Sequence, residues 1–144
     1  MKSPRKVFFD TWGWLAVAHR DDRRHSEAKS FYREFLIAGG LPVTTDYVLA
    51  ETVSLLRSRT TPAGTESLIG GVLAAGKSGR VRLERIDERR WTAAWRLSVK
   101  YADQSTISFA DFTSFVVMKE LRIAQAFTAD RHYELVGMGF QKLF

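Results

Sequence analysis

Short apolar segments alternate with longer segments of helical pattern along this chain, and no other feature constrains its fold as strongly. Each short segment has the length and apolar character of a strand in a sheet. These segments are VFFD (7–10), LPVTT (41–45), VRLERI (81–86), IAQAFTAD (123–130) and GFQKLF (139–144). Strands that alternate with helices form a mostly parallel sheet, because each parallel connection must cross back over the sheet. The sequence therefore predicts an α/β domain.

Six segments between these strands carry helical signals. Apolar residues recur in them at helical spacing, and Asp46 stands where a helix N-cap is expected. Gly39-Gly40 and Gly76 stand where two of the helices should end. The predicted helices cover 11–19, 21–40, 46–58, 61–76, 87–102 and 108–122.

The composition limits the kinds of protein that this chain can be. A length of 144 residues suits one domain over 1–144, and no linker or repeat divides it. The absence of cysteine excludes disulfides and thiolate metal sites. With 22 Lys and Arg against 16 Asp and Glu, nucleic acid is an expected partner, although the same charge can serve solubility alone. No segment suits a signal peptide or a spanning helix, which predicts a cytoplasmic protein without a membrane partner.

Residues 71–78, GVLAAGKS, match the phosphate-loop pattern G-x-x-x-x-G-K-[ST] letter for letter. That loop needs a strand before it and a helix after it, so that backbone N–H groups face the phosphates. Here a helical pattern comes before the motif, and the strand segment 81–86 follows it. A nucleotide-binding protein that uses Lys77 is therefore an alternative against which the reversed context argues.

Four carboxylates stand at positions of chemical interest. Asp10 and Asp130 stand at the ends of two predicted strands, where parallel sheets bind their ligands. Glu51 lies at the edge of the buried stripe of its predicted helix. Asp111 lies inside the apolar segment SFADFTSFVVM, where an ionised carboxylate is costly to bury unless something pairs with it.

Each carboxylate also has a structural interpretation. Asp10 and Asp130 would serve as helix N-caps, and Asp111 would form a capping box with Ser108. Glu51 would pair with an arginine at the end of its own helix. Taken together, however, the four acids would repel each other and raise one another's pKa values unless a cation relieves the repulsion. Ligation by oxygen alone suits Mg²⁺ or Mn²⁺.

Four segments of this chain, in this order, resemble the PIN domains of VapC-type toxins: VFFDTWGWLA, TTDYVLAETVSLL, SFADFTSFVVMKELRI and AFTADRHYELVGMGF. The resemblance extends over essentially the whole chain. It implies a three-layer α/β/α sandwich around a mostly parallel sheet, and an endoribonuclease activity that depends on Mg²⁺ or Mn²⁺. It also implies a cognate antitoxin protein that restrains the enzyme, and a homodimer, since dimerisation is common among such relatives.

The resemblance also implies roles for individual residues. By position, the metal-binding and catalytic acids are Asp10, Glu51, Asp111 and Asp130. Thr11 and Ser108 match hydroxyl positions that often support such a site, and Asp103 lies in a loop where some relatives carry an extra acid. The family includes members of weak activity, so a non-catalytic RNA-binding or regulatory PIN-like module is the alternative.

Basic residues just outside the helices that hold the acids are the predicted RNA contacts, and ordinary solvated surface is the alternative. They are Arg20, Arg23, Arg24, Arg57 and Arg59. No side chain stands out as a general base. His19, His25 and His132 lack metal-binding spacing to one another and are expected to be solvated.

Four aromatic residues have two interpretations. Trp12, Trp14, Tyr32 and Phe35 would form an exposed apolar groove for an antitoxin helix, or they would belong to the core. Trp12 and Trp14 are also bulkier than the small residues that the family commonly has there, which would narrow the cleft or serve a partner.

Overall fold

The computed structural model of this protein describes residues 3–20 and 23–144. Within those residues, five strands form a sheet in the order β3-β2-β1-β4-β5, and every neighbouring pair is parallel. The strands are β1 (Lys6–Phe9), β2 (Leu41–Thr45), β3 (Arg82–Glu84), β4 (Gln125–Phe127) and β5 (Gln141–Lys142). The five predicted strands are therefore confirmed.

Seven helices occur in the same part of the chain. They are α1 (Thr11–Ala18), α2 (His25–Ile37), α3 (Asp46–Arg59), α4 (Pro62–Lys77), α5 (Glu88–Lys100), α6 (Phe109–Glu120) and α7 (His132–Leu135). The predicted helices correspond to α1–α6, although positions 21 and 22 of the second prediction lie outside the described residues. The sequence does not reveal α7, because four residues are too few to show a periodic pattern. None of the described helices is long and apolar enough to cross a membrane.

The alternation of side chains along β1 separates two layers of helices. Phe9 packs against Trp14 of α1 and Phe35 of α2. Phe8 points to the opposite face and contacts Tyr133 of α7, which also packs on Phe115 of α6. Helices α3 and α4 join the α1 layer, and α5 packs on α6. The sheet therefore lies between two helical layers, and the predicted α/β/α sandwich is confirmed.

The start of α3 differs from the prediction. Thr45, not Asp46, is the N-cap, since the Thr45 hydroxyl accepts the N–H of Val48 at 3.1 Å. The Asp46 carboxylate instead accepts the N–H of Ile86 at 2.9 Å and so ties α3 to the segment after β3. Residue types locate a helix end only to within a few positions, because the capping hydrogen bonds depend on the three-dimensional path of the chain.

The phosphate-loop pattern at 71–78 lies at the end of α4 and not in a loop. The helix runs to Lys77, and Ser78 is its C-cap. Gly76 is thus inside the helix rather than its terminator, and a positive φ of 81° falls on Gly79. Carbonyl groups rather than N–H groups are exposed at this end of a helix. The nucleotide-binding alternative is therefore wrong.

The four aromatic residues of the expected groove belong to the core. Trp14 and Phe35 are only 2% and 4% exposed. Trp12 and Tyr32 are half-buried and pack against the same core. The ring of Phe9 lies within 4.8 Å of the Trp14 ring and within 5.5 Å of the Tyr32 ring. An exposed antitoxin groove made of these residues is therefore wrong, because they cover one face of the sheet.

Candidate active site

The sheet order places a crevice at the carboxyl ends of β1 and β4. The chain leaves β1 for β2 on one side and later returns to β4 on the other side, so the strand order reverses between β1 and β4. Asp10 directly follows β1, and Asp130 lies three residues after β4. A cavity of about 390 Å³ opens at this edge. We call it the acidic cleft, because its lining includes Asp10, Glu51, Asp111 and Asp130.

Asp10 is held between the start of α1 and the end of β4. Its Oδ1 accepts the N–H of Gly13 at 2.9 Å, so the residue is the N-cap of α1, as its structural interpretation predicts. Its Oδ2 accepts the hydroxyl of Thr128, which follows β4. Position 13 requires glycine, because a Cβ there would overlap the carbonyl oxygen of Phe127. This close packing of α1 on β4 fixes Asp10 beside the end of β4.

Asp111 occupies the first turn of α6. Ser108 is the N-cap, and its Oγ accepts the N–H of Asp111 at 3.1 Å. The N–H of Ser108 in turn interacts with the Asp111 carboxyl and lowers its pKa, as in a capping box. The Asp111 side chain is nevertheless 19% exposed and lines the cleft. Capping and a place in the cleft are therefore compatible, because the cap fixes the start of α6 at the cavity.

Asp130 lies in the turn between β4 and α7. Its Oδ1 accepts the N–H of His132 at 2.9 Å, and its own N–H donates to Oγ1 of Thr128 at 2.9 Å. Thr128 thereby links two predicted acids, since its hydroxyl also donates to Asp10. Sequence reasoning misses Thr128, which is fully buried. The available signal is a hydroxyl residue two positions before an acid at the end of a strand.

Glu51 reaches the cleft from α3. The residue is exposed, and it lines the cavity together with the other three acids. Its negative charge contributes to the raised pKa of Asp111. Within the described ranges no ion pair joins it to Arg57 or Arg59. The structure therefore places Glu51 at the acidic cleft rather than in the expected structural ion pair.

Two of the four acids are difficult to ionise. Burial raises the pKa of Asp10 from 3.8 to about 7, and hydrogen bonds from Thr128 and Gly13 offset this only in part. Burial also raises the pKa of Asp111 from 3.8 to about 6, and the charge of Asp130 adds to the effect. Carboxylates that share a site repel each other and shift in this direction. A cation bound among them would relieve both the repulsion and the poor solvation.

Two neighbouring residues of α7 place buried polar atoms at the same site. Nδ1 of His132 lies 3.1 Å from Oδ1 of Asp130 and 3.6 Å from Oδ2 of Asp111. Neither this nitrogen nor the hydroxyl of Tyr133 has an aligned hydrogen-bond partner in the part of the chain that the structure describes, although the Ser114 hydroxyl lowers the pKa of Tyr133. The expectation that His132 is solvated is therefore wrong. The sequence gives little signal for it, because the turn that directs it inward is too short to predict.

The donor atoms of this cluster fit a divalent cation. One oxygen each from Asp111 and Asp130 and one nitrogen from His132 lie within 4.8 Å of one another. Two ligands on opposite sides of one cation are about 4–5 Å apart, so little rearrangement is needed. The unpaired buried nitrogen of His132 and the raised pKa of Asp111 indicate the same conclusion. Asp10 and Glu51 line the same cleft, and the roles of all these residues as ligands stay predictions.

The predicted RNA contacts occupy different surroundings. Arg59 lines the acidic cleft, whereas Arg57 lines a separate groove between α3 and α4. Arg24 lies over the Phe144 ring and donates to the Phe144 carbonyl oxygen at 2.9 Å, so it contributes to packing. Arg20 and Arg23 are exposed. Arg59 is thus the member of this set that the fold brings to the acids.

The remaining predicted residues divide between packing and surface. Thr11 lines the cleft, but its hydroxyl donates to the carbonyl of Val48 at 3.3 Å and accepts from Thr52 at 3.2 Å. It therefore joins α1 to α3. Asp103 is exposed in the turn after α5 and is not among the residues that line the cleft. Trp12 does line it, so this bulky ring forms part of its wall.

Comparison with known proteins identifies relatives over most of the chain. The model of the PIN domain family matches residues 7–137. The "23S rRNA-specific endonuclease VapC20" of Mycobacterium tuberculosis is 32% identical over 133 residues, which are 91% of this chain and 94% of that protein, in two strains. The crystal structure of Mycobacterium tuberculosis VapC20, described as a sarcin-ricin loop cleaving toxin, matches with a TM-score of 0.77 and 28% identity, over 91% of this chain and 95% of that one.

Proposed function

This chain belongs to the PIN-domain family and is an endoribonuclease of the toxin type, and we propose that it cleaves large-subunit ribosomal RNA with the help of a divalent cation. The relatives at 32% identity carry 23S rRNA in their name, and the similar solved structure carries the sarcin-ricin loop. One observation carries the cation-dependent part of the proposal: Asp10, Asp111 and Asp130 converge in one cleft, and two of them have raised pKa values.

A divalent cation, when bound, supplies positive charge for the scissile phosphate and lowers the pKa of the attacking water. The chain's own residues determine where this chemistry takes place. Asp10, Asp111 and Asp130 would hold the cation, with Glu51 either in direct contact or through a water. Mg²⁺ and Mn²⁺ both accept carboxylate oxygens, so either ion suits these four side chains.

The hydrogen bonds around the acids orient them before any ligand arrives. Thr128 contacts both Asp10 and Asp130, so these two side chains are fixed relative to each other. Ser108 fixes Asp111 at the start of α6. Ligands whose orientation is set by hydrogen bonds to neighbouring groups lose little freedom when the cation binds. Loss of the Thr128 hydroxyl would therefore weaken the site without removing a ligand.

The charge of the rest of the molecule suits an RNA substrate. Without the four cleft acids, the 22 basic residues face 12 acidic ones, that is 16 less 4. Arg59 at the cleft is the first candidate for a contact with a phosphate of the bound strand. Because Lys and Arg release counterions from RNA when they bind it, the interaction should weaken steeply as salt increases.

We extend the proposal to the assembly and its place in the cell. One PIN domain would span 1–144 and act in the cytoplasm, where its ribosomal substrate occurs. A cognate antitoxin protein would bind it and block the cleft, as the toxin relatives imply. Two copies would form a homodimer.

The proposal is tested by incubating purified ribosomes with the wild-type protein and mapping cut sites by primer extension. We expect one dominant cut in the large-subunit RNA with Mg²⁺ or Mn²⁺, and none with EDTA. The variant Asp10→Asn should cut about a thousandfold more slowly, since a lost cation ligand removes several kcal/mol of transition-state stabilisation. Asp103→Asn changes the same charge at an exposed position away from the cleft and is the matched control.

Two outcomes would contradict the proposal. Equal cutting by wild type in EDTA and in Mg²⁺ would exclude the role of the cation. Binding of the RNA without any cut, unaffected by Asp10→Asn, would instead support the alternative of a non-catalytic RNA-binding module. A cut elsewhere in cellular RNA would retain the nuclease and reject the ribosomal target.

A further inference from the structure

His132 occupies an unusual position beside the acidic cleft. It is the first residue of α7 and lies two positions after Asp130. Its Nδ1 is buried and has no aligned hydrogen bond within residues 3–20 and 23–144. Oxygen atoms of Asp130 and Asp111 lie 3.1 Å and 3.6 Å from that nitrogen. A buried polar atom without a partner costs free energy, so this arrangement calls for a ligand or an explanation.

A simple ion pair accounts poorly for this geometry. Oδ1 of Asp130 already accepts the backbone N–H of His132 at 2.9 Å. The ring nitrogen approaches the same oxygen at 3.1 Å without the alignment that a hydrogen bond requires. A cation between the nitrogen and the two carboxylates would use the lone pairs of all three groups at once. Their donor atoms already lie within 4.8 Å of one another.

We propose that His132 is a metal ligand, and that its Nδ1 shares one divalent cation with Asp111 and Asp130. The inference rests on the proposed function, because it assumes that the acidic cleft holds a cation during RNA cleavage. It adds a nitrogen donor to a site that the four acids alone would make entirely of oxygen.

The local fold prepares the imidazole for this role. The backbone N–H of His132 is bonded to the carboxylate of Asp130, and the N–H of Asp130 is bonded to Thr128 at the end of β4. The following residue, Tyr133, is buried between β1 and α6, so the turn that carries the histidine is anchored on both sides. The ring therefore needs little reorganisation to meet a cation.

The nitrogen donor has a consequence for metal preference. Mg²⁺ prefers oxygen ligands and retains its waters, whereas Mn²⁺ also accepts imidazole. A site of two carboxylates and one imidazole should thus bind Mn²⁺ more tightly than Mg²⁺ by a margin that depends on His132. Replacement by asparagine is a sharp test, because the asparagine amide oxygen can take roughly the place of Nδ1 and converts the nitrogen donor into an oxygen donor.

The test measures binding of Mn²⁺ and of Mg²⁺ alone, without RNA, by calorimetry, together with pulsed electron paramagnetic resonance of bound Mn²⁺. Wild type should show ¹⁴N coupling from one imidazole. His132→Asn should lose that coupling and bind Mn²⁺ about tenfold more weakly, while Mg²⁺ affinity changes by less than about threefold. His25→Asn is the matched control, since the Nδ1 of His25 contacts the carbonyl of Ala16. This control should retain the coupling and both affinities.

The possible results separate the inference from the proposed function. If Mn²⁺ binds in a manner that Asp111→Asn abolishes but shows no ¹⁴N coupling, His132 is not a ligand and the cation-dependent nuclease stands. Equal weakening of both cations in His132→Asn, with a lower melting temperature in EDTA, would assign the histidine a structural role and overturn the inference. If wild type binds neither cation, both the inference and the cation-dependent function are wrong.

Discussion

The two ends of α6 carry acids in opposite electrostatic surroundings. Asp111 in the first turn lies in the acidic cleft, where burial and the charge of Asp130 raise its pKa to about 6. Glu120 at the last turn has a lowered pKa, because hydrogen bonds from Arg90 and Arg89 outweigh its burial. The two positions are about 14 Å apart along the helix, since nine residues separate them. Both are carboxylates on one helix, so only their neighbours explain the difference.

The arginines complete a structural cluster that the cleft lacks. Arg90, whose side chain is 11% exposed, pairs with Glu120 and with Glu84 at the end of β3. It also donates to the carbonyl of Arg85 at 2.9 Å. We call this set the arginine–glutamate network. It holds α5, α6 and β3 together, whereas the acidic cleft spends stability to keep carboxylates available. The comparison teaches that unpaired acids mark the functional end of the helix.

Neutralising the cleft should give the largest change in stability. In EDTA at pH 8, Asp111→Asn should stabilise the protein by about 2–3 kcal/mol, since a pKa of about 6 instead of 3.8 corresponds to about 3 kcal/mol once the group is ionised. Saturating Mg²⁺ or Mn²⁺ should reverse the order, because the wild type binds the cation better. Urea unfolding of both proteins measures this, with Asp103→Asn as the control. A variant less stable than wild type in EDTA would mean that capping alone explains Asp111.

The same comparison predicts opposite dependences on pH in EDTA. The folded pKa values of Asp10 and Asp111 are raised, so their contribution to stability is complete below pH 3.8 and is lost as pH rises through about 6 and about 7. The folded pKa of Glu120 is lowered, so its contribution is present above 4.5 and is lost as pH falls through the lowered value. Asp111→Asn should therefore flatten the loss of stability between pH 4 and 8, and Glu120→Gln should flatten the loss in acid. Unfolding curves at several pH values would contradict this if the two variants changed the same limb.

Breaking the arginine–glutamate network should have a smaller effect. Arg90→Met should destabilise the protein by about 2 kcal/mol, because it leaves two partly buried glutamates without their partner. Arg89→Met removes an arginine whose side chain is 73% exposed and should cost less than about 0.5 kcal/mol. RNA cleavage under folding conditions should stay unchanged in both. A loss of cleavage in Arg90→Met without unfolding would show that the two ends of α6 are coupled.

The smallest expected effect concerns the basic rim of the cleft. Arg59→Gln should weaken RNA binding about threefold and reduce the slope of log affinity against log salt by about one, since one phosphate contact is lost. Arg57→Gln, two residues away in a different groove, is the comparison. Filter binding at several salt concentrations measures both. Equal effects of the two changes would indicate a diffuse electrostatic contribution rather than a contact at the acids.

The elements of this fold are largely predictable, and their ends and hydrogen bonds are not. Period and composition locate the five strands and the six longer helices, because each must bury an apolar face in a regular pattern. They misplace the cap of α3 at Asp46, and they give no sign of the one-turn helix α7. Trp14 and Phe35 are apolar in any interpretation, but only packing on Phe9 decides that they are core.

The sequence by itself determines an α/β chain, a positive charge and four acids at strand ends or on helices, because these follow from residue types and local periodicity. Their convergence depends on the order of the sheet, which brings the ends of β1 and β4 together across more than a hundred residues of chain. The linking hydroxyl of Thr128 and the inward nitrogen of His132 depend on the same long-range packing. Only the tertiary structure could decide them, since a pKa and an unpaired atom are properties of neighbours in space.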